Sequence, residues 1–247
     1  MKVVVTGGFG GLGREIMPRL AERGVEGTPV SRRTGFDLLT GAGIEAGLAE
    51  ADVVIHAAVH PLRHRGVNLG GTRRIVEVLQ RRSRPVHLVY VSIVGCDRNP
   101  FSYYRAKHAS EMVLRRSGLP VTVVRATQFH SLVAAVARAL RLGPVALEPE
   151  GLSFQSVETA WVAERIVDHA LAEQPVGYLR APDLAGPERL TISEAIDLVR
   201  LLDDKSKPRL LTVPPIGASF RAFAAGANLP GPDAEIGGVP FRNWLAD

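Results

Sequence analysis

Tyr103 and Lys107 stand four residues apart in a stretch with helical apolar spacing, so both side chains project from one face. An ammonium group one turn from a phenol favours the phenolate and draws down a pKa that is ordinarily about 10. The pair is therefore a proton donor, the same lysine can hydrogen-bond a ribose, and the hydroxyl of Ser92 can orient a carbonyl oxygen. A second group of residues suits phosphate. The apolar run Lys2-Val3-Val4-Val5-Thr6 leads into Gly7-Gly8-Phe9-Gly10-Gly11-Leu12-Gly13, and a helical pattern follows from Arg14. Of the glycines at 7, 10 and 13, the first permits a tight turn and the second admits a pyrophosphate to the backbone. The third lets the helix pack close to the strand. The helix end then presents unpaired N–H groups and a positive dipole to the phosphates. No Gly-Lys-Ser/Thr follows, which sets aside a nucleoside-triphosphate loop.

The end of the second strand decides which dinucleotide. A carboxylate there suits the free ribose hydroxyls of NAD, whereas a 2′-phosphate needs cations and no nearby acid. The chain reads Val30-Ser31-Arg32-Arg33, with no acid between Thr28 and Phe36. Forked guanidinium donors match a phosphate dianion, and NADP(H) is the expected cofactor. His56-Ala57-Ala58-Val59 ends the third strand beside the glycine turn, where small side chains leave room for it. Thr127, Gln128 and Phe129 follow the fifth strand and are expected at the nicotinamide end. His56, His60 and His130 read as packed or solvated histidines, and no spacing demands a metal.

Short apolar runs alternate with helical patterns through the first half, as in a parallel sheet wrapped by helices. Strands are predicted at Lys2–Thr6, Thr28–Ser31, Asp52–His56, Val86–Ser92 and Val121–Ala126. Helices are predicted at Gly11–Arg23, Thr40–Ala49, Val67–Arg82, Pro100–Ser117, Ser131–Leu142, Glu158–Ala172 and Ser193–Leu202. The expected fold class is α/β: a Rossmann-type, doubly wound parallel sheet over residues 1–130, with a smaller substrate lobe over 131–247. Beyond residue 128, turn signals crowd in at Gly143-Pro144, Pro149-Glu150-Gly151 and Gly186-Pro187.

A chain of 247 residues can bury a sizeable core. Its single cysteine, Cys96, rules out a disulfide framework and a cysteine-based zinc site, and fits a reducing cytoplasm. The opening residues read as a strand of the fold rather than a leader. The most apolar helical run, Leu132–Leu140, is short for a bilayer and contains Arg138, so no membrane association is expected. The net charge of +5 raises nucleic acid as a partner. The arginines, however, are scattered without interleaved aromatics, so a small-molecule substrate is expected instead.

These motifs carry a family likeness. Thr6-Gly7-Gly8-Phe9-Gly10-Gly11-Leu12-Gly13 with Tyr103-Tyr104-Arg105-Ala106-Lys107 resembles the short-chain dehydrogenase/reductase superfamily. Val89-Tyr90-Val91-Ser92-Ile93-Val94-Gly95 and Val124-Arg125-Ala126-Thr127-Gln128-Phe129 are similar to its atypical, NmrA-like branch. The resemblance implies Tyr103 as acid/base, Lys107 as ribose clamp and Ser92 as substrate orienter in hydride transfer to a carbonyl. It also implies that Asp37 and Leu38 contact adenine and that Asn68 lies near the active site. If the family's catalytic hydroxyl aligns with Val94 rather than Ser92, that role has no occupant. The leading expectation is an NADPH-dependent reductase of a small carbonyl or quinone. A non-catalytic NADP(H) sensor needs only the glycine turn and arginines, and a nucleotide-sugar epimerase or dehydratase is the third reading.

Overall fold

A computed structural model describes residues 1–60 and 63–246. The chain forms two compact units, each assembled from several segments. The first takes Met1–Ser92, Ser102–Arg125 and Val162–Ala181; the second takes Ile93–Phe101, Ala126–Trp161 and the chain from Pro182 onward. Segments are thus exchanged on both sides of residue 130.

The first unit is built on five parallel strands: β1 (Lys2–Thr6), β2 (Glu26–Val30), β3 (Val53–His56), β4 (His87–Ile93) and β5 (Val121–Ala126). Their order is β2-β1-β3-β4-β5, and Tyr178–Arg180 adds a further parallel strand beside β5. All residues of β3, β4 and β5 are buried, which is why they read as unbroken apolar runs. The edge strand β2 alternates instead and tolerates Pro29. It starts at Glu26, two residues before the apolar pattern begins, because pairing of Lys2 with Glu26 carries the ladder into a polar stretch.

Helices α1 (Gly11–Glu22), α2 (Ile44–Leu48), α3 (Gly71–Gln80), α4 (Ser102–Arg115) and most of α6 (Thr159–Leu171) belong to this unit. The helix predicted over Thr40–Ala49 shrinks to α2, because Gly41 and Gly43 take φ of +92° and +70° and break its first half. α3 is preceded by a wider-wound turn over His64–Gly70, with π-type hydrogen bonding. The core joins Val4, Val54 and Leu88 of the sheet to Ile75 and Leu79 of α3 and Leu114 of α4.

The second unit holds α5 (His130–Ala139) and α7 (Ile192–Leu202), with short helices at Ala218–Ala224 and Phe241–Ala246. Its core packs Val133 and Ala137 of α5 with Ile192, Ile196 and Val199 of α7, Phe154 and Phe241. α7 starts at a capping box in which Thr191 and Glu194 each satisfy the other's backbone N–H. Its strands are two to five residues long: Val145–Pro149 lies between Arg141–Leu142 and Arg209–Val213, and Ser153–Phe154 pairs with Leu190–Thr191.

The sheet order places β1 between β2 and β3, so the connection after β1 runs to one side of the sheet and that after β3 to the other. The carboxyl end of β1 is the switch point at which open α/β sheets bind ligands. There, a Cβ on Gly13 would lie 2.3 Å from the Gly7 carbonyl oxygen, whereas Gly11 has no neighbour within 4 Å. Gly13→Ala should therefore lower stability by more than about 2 kcal/mol, as overpacking against rigid backbone does. Gly11→Ala should be neutral or raise it by up to about 1 kcal/mol. Urea unfolding of the two variants checks the contrast.

Candidate functional site

The turn after β1 is built by backbone packed on backbone. Gly7 has φ +72°, and a Cβ there would sit 2.8 Å from Ala58 Cα at the end of β3. A Cβ on Gly8 would sit 2.5 Å from Pro29 Cβ on β2. The Gly7 N–H donates to Val30 O and the Gly10 N–H to Gly7 O, at 3.1 and 2.8 Å. Gly10 occupies the cap position of α1, has no side chain with which to cap it, and no acid lies in the first turn. The first N–H groups of α1 face outward at an exposed surface formed by Phe9, Gly10 and Gly11, with Leu12 half-buried behind them.

Beyond Val30, Ser31 caps a single 3₁₀ turn over Arg32–Thr34: its hydroxyl accepts from the Arg33 N–H and its own N–H donates to Thr34 Oγ1. Arg32 and Arg33 are exposed, and neither side chain has a hydrogen bond or ion pair among the described residues. Asp37 closes the next turn, with Oδ1 accepting from the Leu39 N–H at 2.7 Å. Leu38 is buried in the core of the first unit, and its carbonyl accepts from Arg74 at 3.2 Å. Ala57 and Ala58 are half-buried and Val59 is exposed; the N–H of Ala57 donates to Thr6 O and that of Ala58 to Thr6 Oγ1.

The inward face of α4 carries Tyr103, Lys107 and Glu111 at successive four-residue steps. Tyr103 is half-buried in the first turn, its ring edge-on to Tyr104. Lys107 is only 2% exposed; its Nζ donates to Val91 O at 2.7 Å and lies 4.7 Å from the centre of the Tyr90 ring. Ser92 departs from expectation. Its hydroxyl donates to Glu111 Oε1, because strand alternation turns this side chain towards α4. Glu111 is held in turn by Arg125 of β5 through a forked pair of 2.9 and 2.6 Å, with both side chains at most 6% exposed. Sequence reading missed Glu111 and Arg125, although the signal was present. An arginine inside the apolar strand Val121-Thr122-Val123-Val124-Arg125-Ala126 requires a buried acid, and Glu111 is one turn beyond Lys107.

Behind the glycine turn runs a buried polar chain. His56 Nδ1 is 2.7 Å from Thr6 Oγ1, and Nε2 is 3.1 Å from Thr72 Oγ1. Thr72 Oγ1 donates to Asn68 O at 2.7 Å, so it must accept from His56 Nε2–H, leaving Nδ1 to accept from Thr6. Asn68 braces the backbone as well, its Oδ1 accepting from the His60 N–H at 2.9 Å. The chain has no place for a second proton on His56. Burial, aided by the Lys107 charge, pushes its pKa down to about 3.

Thr127 and Gln128 lie in the second unit, both buried. Thr127 donates through Oγ1 to Gln155 O at 2.6 Å, and Gln128 Oε1 accepts from Asn228 Nδ2 at 3.4 Å. His130 of the same unit is packed against Phe241 and Trp244.

A parallel sheet with a glycine turn at its switch point and an uncapped helix end above it defines a dinucleotide-binding α/β protein. The family model described as NAD(P)H-binding matches residues 25–173, more than half of the sequence, and the chain belongs to that family. Among curated proteins none matches. Solved structures with the same fold include the NADPH-dependent quinone oxidoreductase QOR2 of Escherichia coli, complexed with NADPH. It is 13% identical over 99% of this chain and 98% of that one, with a TM-score of 0.78. UDP-glucuronic acid 4-epimerase of Bacillus cereus is 13% identical over 100% and 97%, with a TM-score of 0.73. UDP-glucose 4-epimerase of Thermus thermophilus is 19% identical over 92% and 93%, at 0.68. At such identities the likeness is one of fold alone. The residues present fit a nicotinamide dinucleotide: side chains are sterically barred at Gly7, Gly8 and Gly13, beside an α1 end left without a cap.

Because the unfolded chain protonates histidine near the ordinary 6.5 and the folded chain holds His56 neutral down to about 3, acid favours unfolding between those values. His87, buried and lowered to about 4, adds to this over the upper part of that window. Stability should therefore fall below pH 6.5 by about 1.4 kcal/mol per pH unit for each histidine involved. Denaturant titrations of wild type and His56→Gln between neutral pH and pH 4 check this; the variant should be less stable at neutral pH but show a shallower acid slope.

Proposed function

We propose that this chain is an NADPH-dependent reductase of a small carbonyl or quinone-type substrate. The observation that carries the reading is the Tyr103/Lys107 pair on α4, in the same compact unit as the uncapped glycine turn and the Arg32/Arg33 corner. NADPH, when bound, supplies the hydride. The backbone at Gly7–Gly13 receives its pyrophosphate, and Arg32 and Arg33 receive the 2′-phosphate on a turn that Ser31 holds rigid. Asp37, Ala57, Ala58 and Val59 border the adenosine half. The Tyr103 hydroxyl donates a proton to the substrate oxygen as negative charge develops there. The Lys107 ammonium, fixed by Val91 O, stabilises the phenolate that remains and offers a donor to the ribose. The single cysteine and the absence of any helix long and apolar enough to cross a membrane, among the described residues, accord with action in the cytoplasm.

The second reading, a catalytically silent NADP(H) sensor, is favoured by one observation. Ser92, the expected orienting hydroxyl, gives its proton to Glu111. The two readings part at Tyr103. Under the reductase reading, Tyr103→Phe lowers kcat roughly a hundredfold or more, with NADPH affinity unchanged. NADPH oxidation should be screened against quinones and ketones. Turnover undiminished in the variant rejects Tyr103 as the acid, and no turnover with any of them favours the sensor.

Cofactor choice is tested separately. NADPH should bind more tightly than NADH, and Arg32→Ala with Arg33→Ala should weaken NADPH roughly tenfold or more while sparing NADH. Fluorescence titration showing equal affinities in the wild type would overturn the 2′-phosphate assignment.

A further inference from the structure

A cavity of about 730 Å³ opens in the first unit between the His64–Gly70 turn and α4, and neither the glycine turn nor Arg32 or Arg33 lines it. Its volume falls within the range of small-molecule sites. Three arginines are among the residues that line it, Arg63, Arg65 and Arg105. All three residues are exposed, and none has an ion pair or side-chain hydrogen bond among the described residues. Between them the floor is apolar, formed by Leu39, Leu69 and Ala109. Ser102, the first residue of α4, lines the rim, and the first turn of this fourteen-residue helix contains no acid, so its positive dipole end is uncompensated.

At about 100° per residue, Ser102, Arg105, Ala106 and Ala109 centre on a side of α4 roughly 130° from Tyr103 and Lys107. The cavity and the proton-donating pair therefore use different faces of one helix.

We propose that this cavity is a second ligand site, taking an organic anion with an apolar body: an aromatic or aliphatic carboxylate, sulfonate or phosphate monoester. The three arginines supply forked donors for the acid group, and the leucine and alanine floor takes the carbon skeleton. A second copy of the chain is the less suited occupant. A two-fold contact across this face would set the arginines of one copy near those of the other, in a chain that already carries a net +5.

The test uses the full chain and two dyes that differ by one charge, anilinonaphthalene sulfonate and its neutral parent anilinonaphthalene, titrated with and without saturating NADPH. The expected result is one saturable site that binds the sulfonate roughly tenfold more tightly than the neutral dye and is indifferent to NADPH. Arg65→Glu with Arg105→Glu, both exposed positions, should abolish the margin for the sulfonate while leaving the neutral dye bound. Ala109→Trp should exclude both dyes. Equal affinity for the two dyes, sulfonate binding that survives charge reversal, or displacement by NADPH would each overturn the proposal. So would a wild-type dimer in sedimentation that Arg65→Glu dissociates, which would make the face an interface between copies.

Discussion

Three strands meet at one turn because no side chain intervenes. Gly7 admits the end of β3, Gly8 admits β2, and Gly13 lets the first turn of α1 rest on the Gly7 carbonyl. These approaches fix the direction of α1 and hence where its first N–H groups point. They also reach further along the chain. The Gly7 N–H holds Val30 O, and the next residue, Ser31, caps the turn that carries Arg32 and Arg33. The arginine corner is therefore positioned by the same backbone contacts as the helix end, and a single constraint sets the two elements relative to each other.

The first unit also buries charge, and here the constraint is electrostatic. Lys107 and Arg125 are both cationic and almost wholly enclosed, whereas Glu111 supplies the negative charge. Both Glu111 oxygens accept from Arg125, and Oε1 accepts from Ser92 as well. Lys107 donates to the Val91 carbonyl and lies against the face of the Tyr90 ring.

The five main strands and the glycine turn were legible because parallel strands buried on both faces leave continuous apolar runs, and a strand–glycine–helix order has few other uses. The short strands of the second unit were not legible. Stretches such as Ser153–Phe154 and Leu190–Thr191 become strands through tertiary pairing, and two residues carry no periodicity. At the site, residue type misled where it was ambivalent. Serine at a strand end can face a ligand or a carboxylate, and only the strand register decides that Ser92 faces Glu111. Leu38, next to the α2 segment, is drawn into the core. Arg125 and Glu111 could have been paired in advance, since a buried guanidinium in a central strand cannot stand without an acid.

Arginine content alone cannot argue for an anion. The chain has many exposed arginines, and several, such as Arg73 and Arg116, have no partner among the described residues and line no cavity described here. What separates Arg32 and Arg33 from these is a backbone held by a capping box at a switch point, beside a helix end with free N–H groups. What separates Arg63, Arg65 and Arg105 is that all three line one cavity together with apolar side chains. An exposed arginine on an open helix face loses side-chain entropy and gains little when an anion arrives, because water screens the attraction. Where backbone geometry or an enclosing wall has already limited the side chain and the solvent, the same guanidinium binds with less to lose. In this basic chain, both proposed anion sites are argued from the placement of arginine rather than from its abundance.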